Sequence, residues 1–218
     1  MKMKLTLRRT GILVLFGLIA AISHGQEIGR IERYGVKIGA QVSTIPTGEA
    51  YNEFPNASIR PELGFQVGGF ATFSLPDKLS LHTELFFSAQ GFSEVDKHVM
   101  QSSSDYESGN WSVETEDRSK YSVRYAKIPL LVQYAITEKF LVEVGPQFGL
   151  FLNSNIDKAD WDIFNRFDMA AALGFEYLVT TNISAQLRYA HSFAKTDPDW
   201  LWYSEKPRVL SLGVAYAF

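Results

Sequence analysis

The chain has 218 residues, 46 % of them hydrophobic, and a formal net charge of −3. That near-balance gives no basic surface for nucleic acid, and the absence of cysteine excludes disulfides and a lipoprotein anchor. The length suits one domain, and past the N-terminus no apolar run approaches the ~20 residues of a membrane helix.

In chain order, the first element is a leader. Lys2, Lys4, Arg8 and Arg9 precede an apolar run over 11–22, followed by Ser23-His24-Gly25. This order of positive, apolar and small residues predicts a secretory signal peptide over 1–25, cleaved before Gln26. An uncleaved anchor is the alternative, and the short apolar run argues against it. The mature chain, 26–218, is then exported as one domain.

From there, apolar and polar residues alternate with period two, the mark of half-buried strands. "YGVKIGAQVS" sets Tyr34, Val36, Ile38, Ala40 and Val42 against Lys37 and Gln41. "GFQVGGFATFSL" sets Phe65, Val67 and Phe73 against Gln66 and Thr72. "LSLHTELFFSAQGF" sets Leu81, Leu85 and Phe87 against His82, Glu84 and Ser88. "YAKIPLLVQY" sets Ile128, Leu130, Val132 and Tyr134 against Lys127 and Gln133. "FLVEVGPQFGLFL" sets Phe140, Val142 and Val144 against Glu143 and Gln147. "FDMAAALGFEYL" sets Phe167, Leu173, Phe175 and Tyr177 against Asp168 and Glu176. "ISAQLRYAHS" sets Leu187 and Tyr189 against Gln186 and Arg188. The eighth segment, "RVLSLGVAYAF", sets Leu210, Leu212, Val214, Tyr216 and Phe218 against Ser211, Gly213, Ala215 and Ala217.

Three connections are tight ("PDK", "AITEK" and "VTTN"), and they alternate with long polar ones over 44–63, 93–120, 153–166 and 194–208. An even number of antiparallel strands, with short turns at one end and long loops at the other, predicts an all-β, eight-stranded, up-and-down transmembrane barrel. A soluble barrel or sandwich alternates too, with its apolar face inward. Here the polar face is rich in Gly, Ala and Ser, as a narrow filled lumen requires. The apolar face carries large side chains, with aromatics gathered at the short turns: Tyr34, Phe73, Tyr134, Phe140, Tyr177, Tyr216 and Phe218. The last strand must pair with the first, because a barrel has no free edge. Its ending, Tyr216 and Phe218 at alternate places, resembles the C-terminal signal by which outer-membrane barrels are recognised by their assembly machinery.

The fourth and fifth strands carry "KIPLLVQY" and "VGPQFGLFL". With the eight-strand layout over about 30–218, this resembles the PorT-like outer-membrane β-barrel family of Gram-negative bacteria. The resemblance implies an outer-membrane barrel, with a link in one founding member to protein secretion. Pro129 and Pro146 lack the ladder N–H, which predicts a shared bulge in this hairpin, with a weak point that opens for a partner strand as the alternative.

Inward charges predict a lumen network of Lys37, Glu84, Lys127, Glu143, Asp168, Glu176 and Arg188, since eight strands leave room only for side chains. Its structural reading is a plug, and the alternative is a proton or ion path. His82 belongs to the plug as a hydrogen-bonding member. His191 and Ser192 are adjacent and so point to opposite faces, which argues against nucleophilic catalysis. All four tryptophans, Trp111, Trp161, Trp200 and Trp202, fall in long connections as candidate loop contacts that either meet a sugar or protein partner or pack the loops together, and the 93–120 segment is acidic. No cofactor or metal site is expected.

The sequence thus predicts a non-enzymatic outer-membrane barrel with an occluded lumen and both termini periplasmic. Its partners are outer-membrane lipid, the assembly machinery and an extracellular or secretion-system protein. A small passive diffusion channel is the second reading, and a lipid-modifying enzyme the third.

Overall fold

The computed structural model describes residues 30–44, 57–101, 112–155, 167–193 and 206–218. It contains eight strands: β1 Ile31–Thr44, β2 Ala57–Ser74, β3 Leu79–Gln101, β4 Ser112–Ala135, β5 Phe140–Ser154, β6 Phe167–Leu178, β7 Ile183–Ser192 and β8 Arg208–Ala217. Each pairs antiparallel with its sequence neighbours, and β1 with β8, in a closed barrel.

The two faces decide between a membrane and a soluble barrel. In β8, Val209, Ser211, Gly213, Ala215 and Ala217 are buried while Arg208, Leu210, Leu212, Val214 and Tyr216 are exposed. The same pattern leaves Leu85 62 % and Leu212 60 % exposed, while Glu84 and Arg188 are buried at 3 % each. A soluble protein reverses this arrangement. Large apolar side chains outside and charges inside suit a barrel solvated by lipid. The lumen is less uniformly polar than the sequence suggests, because Phe70, Phe86 and Leu131 also point inward and are buried.

Closure runs from Gly35↔Ala217 to Thr44↔Arg208. The chain end is tied to both neighbours: Phe218 N–H donates to Tyr34 O at 3.0 Å, and Ala217 N–H to Asn182 O at 2.7 Å. The three short turns follow from local chemistry. Asp77 and Lys78 both have positive φ, 60° and 63°, the two-residue hairpin geometry that matches strand twist. In the other two turns a threonine hydroxyl closes the loop. Thr137 Oγ1 accepts from Phe140 N–H at 3.0 Å, and Thr180 Oγ1 accepts from Ile183 N–H at 2.9 Å. "ITEKF" and "VTTNI" are thus versions of one turn.

Two expectations are corrected. The 93–120 connection is not a loop throughout, because β3 and β4 stay paired out to Gln101↔Ser112. β2 accompanies them to Ala57↔Asp96, inside the expected 44–63 loop. Polar residues outnumber apolar ones on both faces there, so the alternation that marks a strand in lipid is missing from the sequence. The shared bulge at the prolines is also absent. Pro129↔Gln147 and Val132↔Val144 keep one register, and the shift in this pair lies between Arg124 and Tyr125. Proline removes a ladder bond here without adding a residue. Gly145 accommodates the approach, since a Cβ there would lie 2.2 Å from Leu130 O.

Leu85 sits midway along the lipid-facing side of β3. Leu85→Arg is expected to cost ~2–4 kcal/mol for a cation near the midplane. Urea unfolding in lipid vesicles measures it, with exposed Lys139→Ala in a turn expected within about 0.5 kcal/mol of the parent. A neutral Leu85→Arg refutes the facing.

Candidate functional site: the charged lumen

Ionisable side chains at membrane depth persist only when they are paired and hydrogen-bonded. Strand parity sends Lys37 from β1, Glu84 from β3, Gln133 from β4, Glu143 from β5, Glu176 from β6 and Arg188 from β7 into the lumen. There they meet at bonding distance.

Arg188 is the centre. Its two terminal nitrogens donate to the two oxygens of Glu84 at 2.9 and 2.8 Å. Its Nε donates to Glu143 Oε1 at 2.8 Å. One guanidinium thereby bridges carboxylates from β3 and β5, a fork geometry that lysine does not offer. Lys37 Nζ adds a second cation to Glu84, at 2.9 and 3.2 Å from its oxygens, and also bonds Gln186 Oε1. His82 Nε2 completes the shell of Glu84 at 2.9 Å, while its Nδ1 lies 2.9 Å from the Thr72 hydroxyl. Phe70 stacks on that imidazole with ring centres 5.5 Å apart.

The network continues toward the short-turn end through neutral amides. Gln133 Nε2 donates to Glu143 Oε2 at 3.1 Å and to Glu176 Oε2 at 2.8 Å, while Gln186 Nε2 reaches Glu143 Oε2 at 2.9 Å. Arg33 then closes the chain on Glu176 Oε1 at 3.1 Å. Three carboxylates, Glu84, Glu143 and Glu176, thus face three cations, Arg33, Lys37 and Arg188. Balanced charge and dense hydrogen bonding offset the cost of burying these groups.

Of the seven charges expected in the lumen, the structure joins Lys37, Glu84, Glu143, Glu176 and Arg188. Lys127 and Asp168 form a separate, looser pair nearer the long-loop end, 4.0 Å apart. Asp168 also accepts from Ser192 Oγ, and Lys127 Nζ lies 5.2 Å from the Tyr125 ring centre. A small cavity beside them is lined by Gln41, Gln66, Lys127 and Gln147 among others. Sequence reasoning missed Arg33, which lies just before the first clearly alternating segment. Gln133 and Gln186 were legible as inward residues, and their bridging role needed the register.

The remaining candidates divide plainly. Tyr216 and Phe218 lie on the outer surface, rings 5.7 Å apart, with Phe218 5.9 Å from Tyr34. His191 faces outward against Phe193, whereas Ser192 is buried inward on Asp168. They share no face. Among the described residues no His, Asp or Glu group is arranged to hold a metal ion. Trp111, Trp161, Trp200 and Trp202 lie outside the described residues.

Removing one partner from a buried ion network strands the others. Arg188→Gln leaves Glu84 and Glu143 short of their shared cation, and is expected to cost about 3–5 kcal/mol. Urea unfolding in vesicles reads this. A double variant with Glu84→Gln as well is expected to recover part of the loss, because one uncompensated charge goes too. Additive losses refute the coupling.

No curated protein matches the chain in sequence. Among solved structures, the attachment invasion locus protein Ail of Yersinia pestis is 13 % identical, over 87 % of this chain and 100 % of that one, with a TM-score of 0.45. Neisserial surface protein A is 14 % identical, over 85 % and 97 %, at 0.44. OprG from Pseudomonas aeruginosa is 11 % identical, over 85 % and 91 %, at 0.39. Residues 29–197 match the outer membrane protein beta-barrel domain, more than half of the sequence, and the chain therefore belongs to that outer-membrane family.

Proposed function

We propose that this chain is a non-enzymatic outer-membrane barrel with a closed lumen, acting as a structural or interaction protein through its long connections and the strands that carry them. The finer assignment, a PorT-like member accessory to protein secretion, rests on "KIPLLVQY" and "VGPQFGLFL". The lumen carries the main reading. Lys37, Glu84, Glu143, Glu176 and Arg188 are between 1 and 6 % exposed and bonded to one another where a solute path would run. A conducting pore keeps such groups hydrated.

In this reading residues 1–25 are a cleaved leader, both termini and the short turns are periplasmic, and the long connections with their tryptophans lie outside the cell. The partner is an extracellular or secretion-system protein, with no nucleic acid and no cofactor. Passive diffusion is the second reading. The cavity beside Lys127 favours it, together with the buried Gln66 amide nitrogen, which lacks a hydrogen-bond partner.

Planar-bilayer recording separates the two. The closed lumen is expected to pass no resolvable current, and regular porin-sized steps overturn it. An epitope tag at Glu138, within the "ITEK" turn, is expected to stay hidden on intact cells and to become accessible once the outer membrane is broken. Labelling on intact cells reverses the orientation.

Tyr216 and Phe218 are assigned to recognition by the assembly machinery. Deleting Phe218 removes one ladder bond and the ring contacts to Tyr34 and Tyr216. The finished barrel then loses at most the ~1.5–3 kcal/mol of one large buried side chain. The expected defect is kinetic: processed precursor accumulates in the periplasm, while refolding into detergent micelles stays intact. Ala217→Gly, on the lumenal face, is the control. Normal assembly of the Phe218 deletion in cells removes the signal role.

A further inference from the structure

Beside Lys127 the packing of the lumen leaves a cavity of about 10 Å³, enough for one particle the size of water or a small ion. Its polar lining is Lys127, Arg188, Gln41, Gln66, Gln147 and Ser211, and no carboxylate among the described residues borders it.

Most donors along this lining are engaged. Arg188 gives its nitrogens to Glu84 and Glu143, neither of which borders the cavity. Gln41 Nε2 donates to Ser88 Oγ and Ala89 O, both at 2.8 Å. Lys127 is different. The residue is only 3 % exposed, and its ammonium makes no hydrogen bond among the described residues. Asp168 Oδ2 stands 4.0 Å away, beyond hydrogen-bond reach, and Asp168 already accepts from Ser192. The Tyr125 ring centre, 5.2 Å off, offers only a π face. Gln66, also 3 % exposed, has an amide nitrogen with no hydrogen-bond partner. Gly39 and Gly213 leave space for that amide, since a Cβ on them would lie 3.0 and 3.7 Å from Gln66 Nε2.

A buried ammonium and a buried amide N–H without acceptors are costly, because neither recovers the hydration it loses on burial. Both belong to one cavity, and that cavity lacks an acceptor. Its charged lining is purely cationic, so a negative acceptor gains Coulomb energy that a water molecule does not. The side chain of Asp168 is 16 % exposed against 4 % for Lys127, so water serves the carboxylate of this pair better than the ammonium. We infer that the cavity binds one small monovalent anion of chloride's size, held by Lys127 Nζ and the Gln66 amide. The site lies inside the closed lumen proposed above and completes its packing.

The test is equilibrium urea unfolding of the full mature protein in vesicles, with sodium chloride exchanged stepwise for sodium gluconate at constant ionic strength. Gluconate is too large for the cavity. Each tenfold rise in chloride above its dissociation constant is expected to raise the folding equilibrium constant about tenfold. Lys127→Met removes the cation and is expected to unfold at one midpoint in both salts. Gln66→Glu puts a carboxylate of nearly the same shape on the cavity wall. It too is expected to lose the chloride dependence, while staying as stable in gluconate as the parent. Lys78→Gln, in a turn, keeps the parent's dependence. Heat-modifiable gel mobility shows that each variant is folded. In crystals grown in bromide, anomalous scattering is expected to place one ion within hydrogen-bond reach of Lys127 Nζ. A parent midpoint indifferent to chloride, a dependence that survives Lys127→Met, or a water in place of bromide overturns the site. Bilayer recording reads the closure of the lumen separately, so the failure of either reading is seen by itself.

Discussion

A backbone inside hydrocarbon has no water to bond, so every N–H and C=O at that depth must find a protein partner. For a chain built of strands, the solution is a closed ladder, and the pairing of Gly35 with Ala217 and Thr44 with Arg208 completes it. Much else follows. Closure with eight strands fixes a narrow interior. Period-two geometry then sends alternate side chains into that interior whatever their chemistry. Lys37 and Leu131 are both inside because their parity puts them there, and each meets partners of its own kind, Glu84 for the one and Ala170, Ala172 and Ala190 for the other.

The interior solves its own problem by charge balance. An isolated lumenal carboxylate would be neutralised or expelled, yet Glu84 accepts from Arg188, Lys37 and His82 together. Arg188 in turn serves two strands that are not neighbours in the ladder, β3 and β5. The network therefore ties the barrel across its diameter, where the ladder ties it around its circumference. Gly174 shows how tightly the two fit: a Cβ there would lie 2.5 Å from Glu143 Oε1. The space a side chain on β6 would fill is occupied by the carboxylate that Arg188 needs. Apolar packing supplements this, with Leu131 among Ala170, Ala172 and Ala190.

What was legible in the sequence was whatever obeys a two-residue period in lipid. The eight strands, their facing and the closing pair are visible because lipid demands apolar residues on one face while a narrow lumen demands small or paired polar ones on the other. The signal fades where polar residues occupy both faces. The outer parts of β3 and β4 carry residues such as Arg118 and Lys120 on one side and Asp117 and Ser119 on the other, and no alternation remains to mark a strand. Pro129 misled for a different reason. A missing N–H demands a gap in the ladder but not an added residue, and sequence alone does not distinguish the two. Within the lumen, parity named the charged residues one by one. Their grouping depends on stagger between strands, which separates Lys127 and Asp168 from the set around Arg188 although all face inward.

The same stagger accounts for the difference between the two ends. Short turns keep β2–β3, β4–β5 and β6–β7 level with one another, so that end finishes as an even rim of aromatics at a single depth. At the opposite end β2, β3 and β4 run on together beyond β1 and β5. The projecting piece needs no lipid-facing apolar stripe, so its outward positions are released for charge. Arg118 and Glu62 spend that freedom on each other, across Ser93. Lys120 adds a second cation to the field at Glu62, and Arg124 donates to the Asn153 amide oxygen at 3.3 Å. A projecting sheet also leaves an edge, and Asn155 covers part of it: its side chain accepts from Ser122 N–H at 2.7 Å and donates to Lys120 O at 3.0 Å. The edge and the cations thus occupy one short stretch of β4, where the lipid-facing wall passes into the projecting sheet.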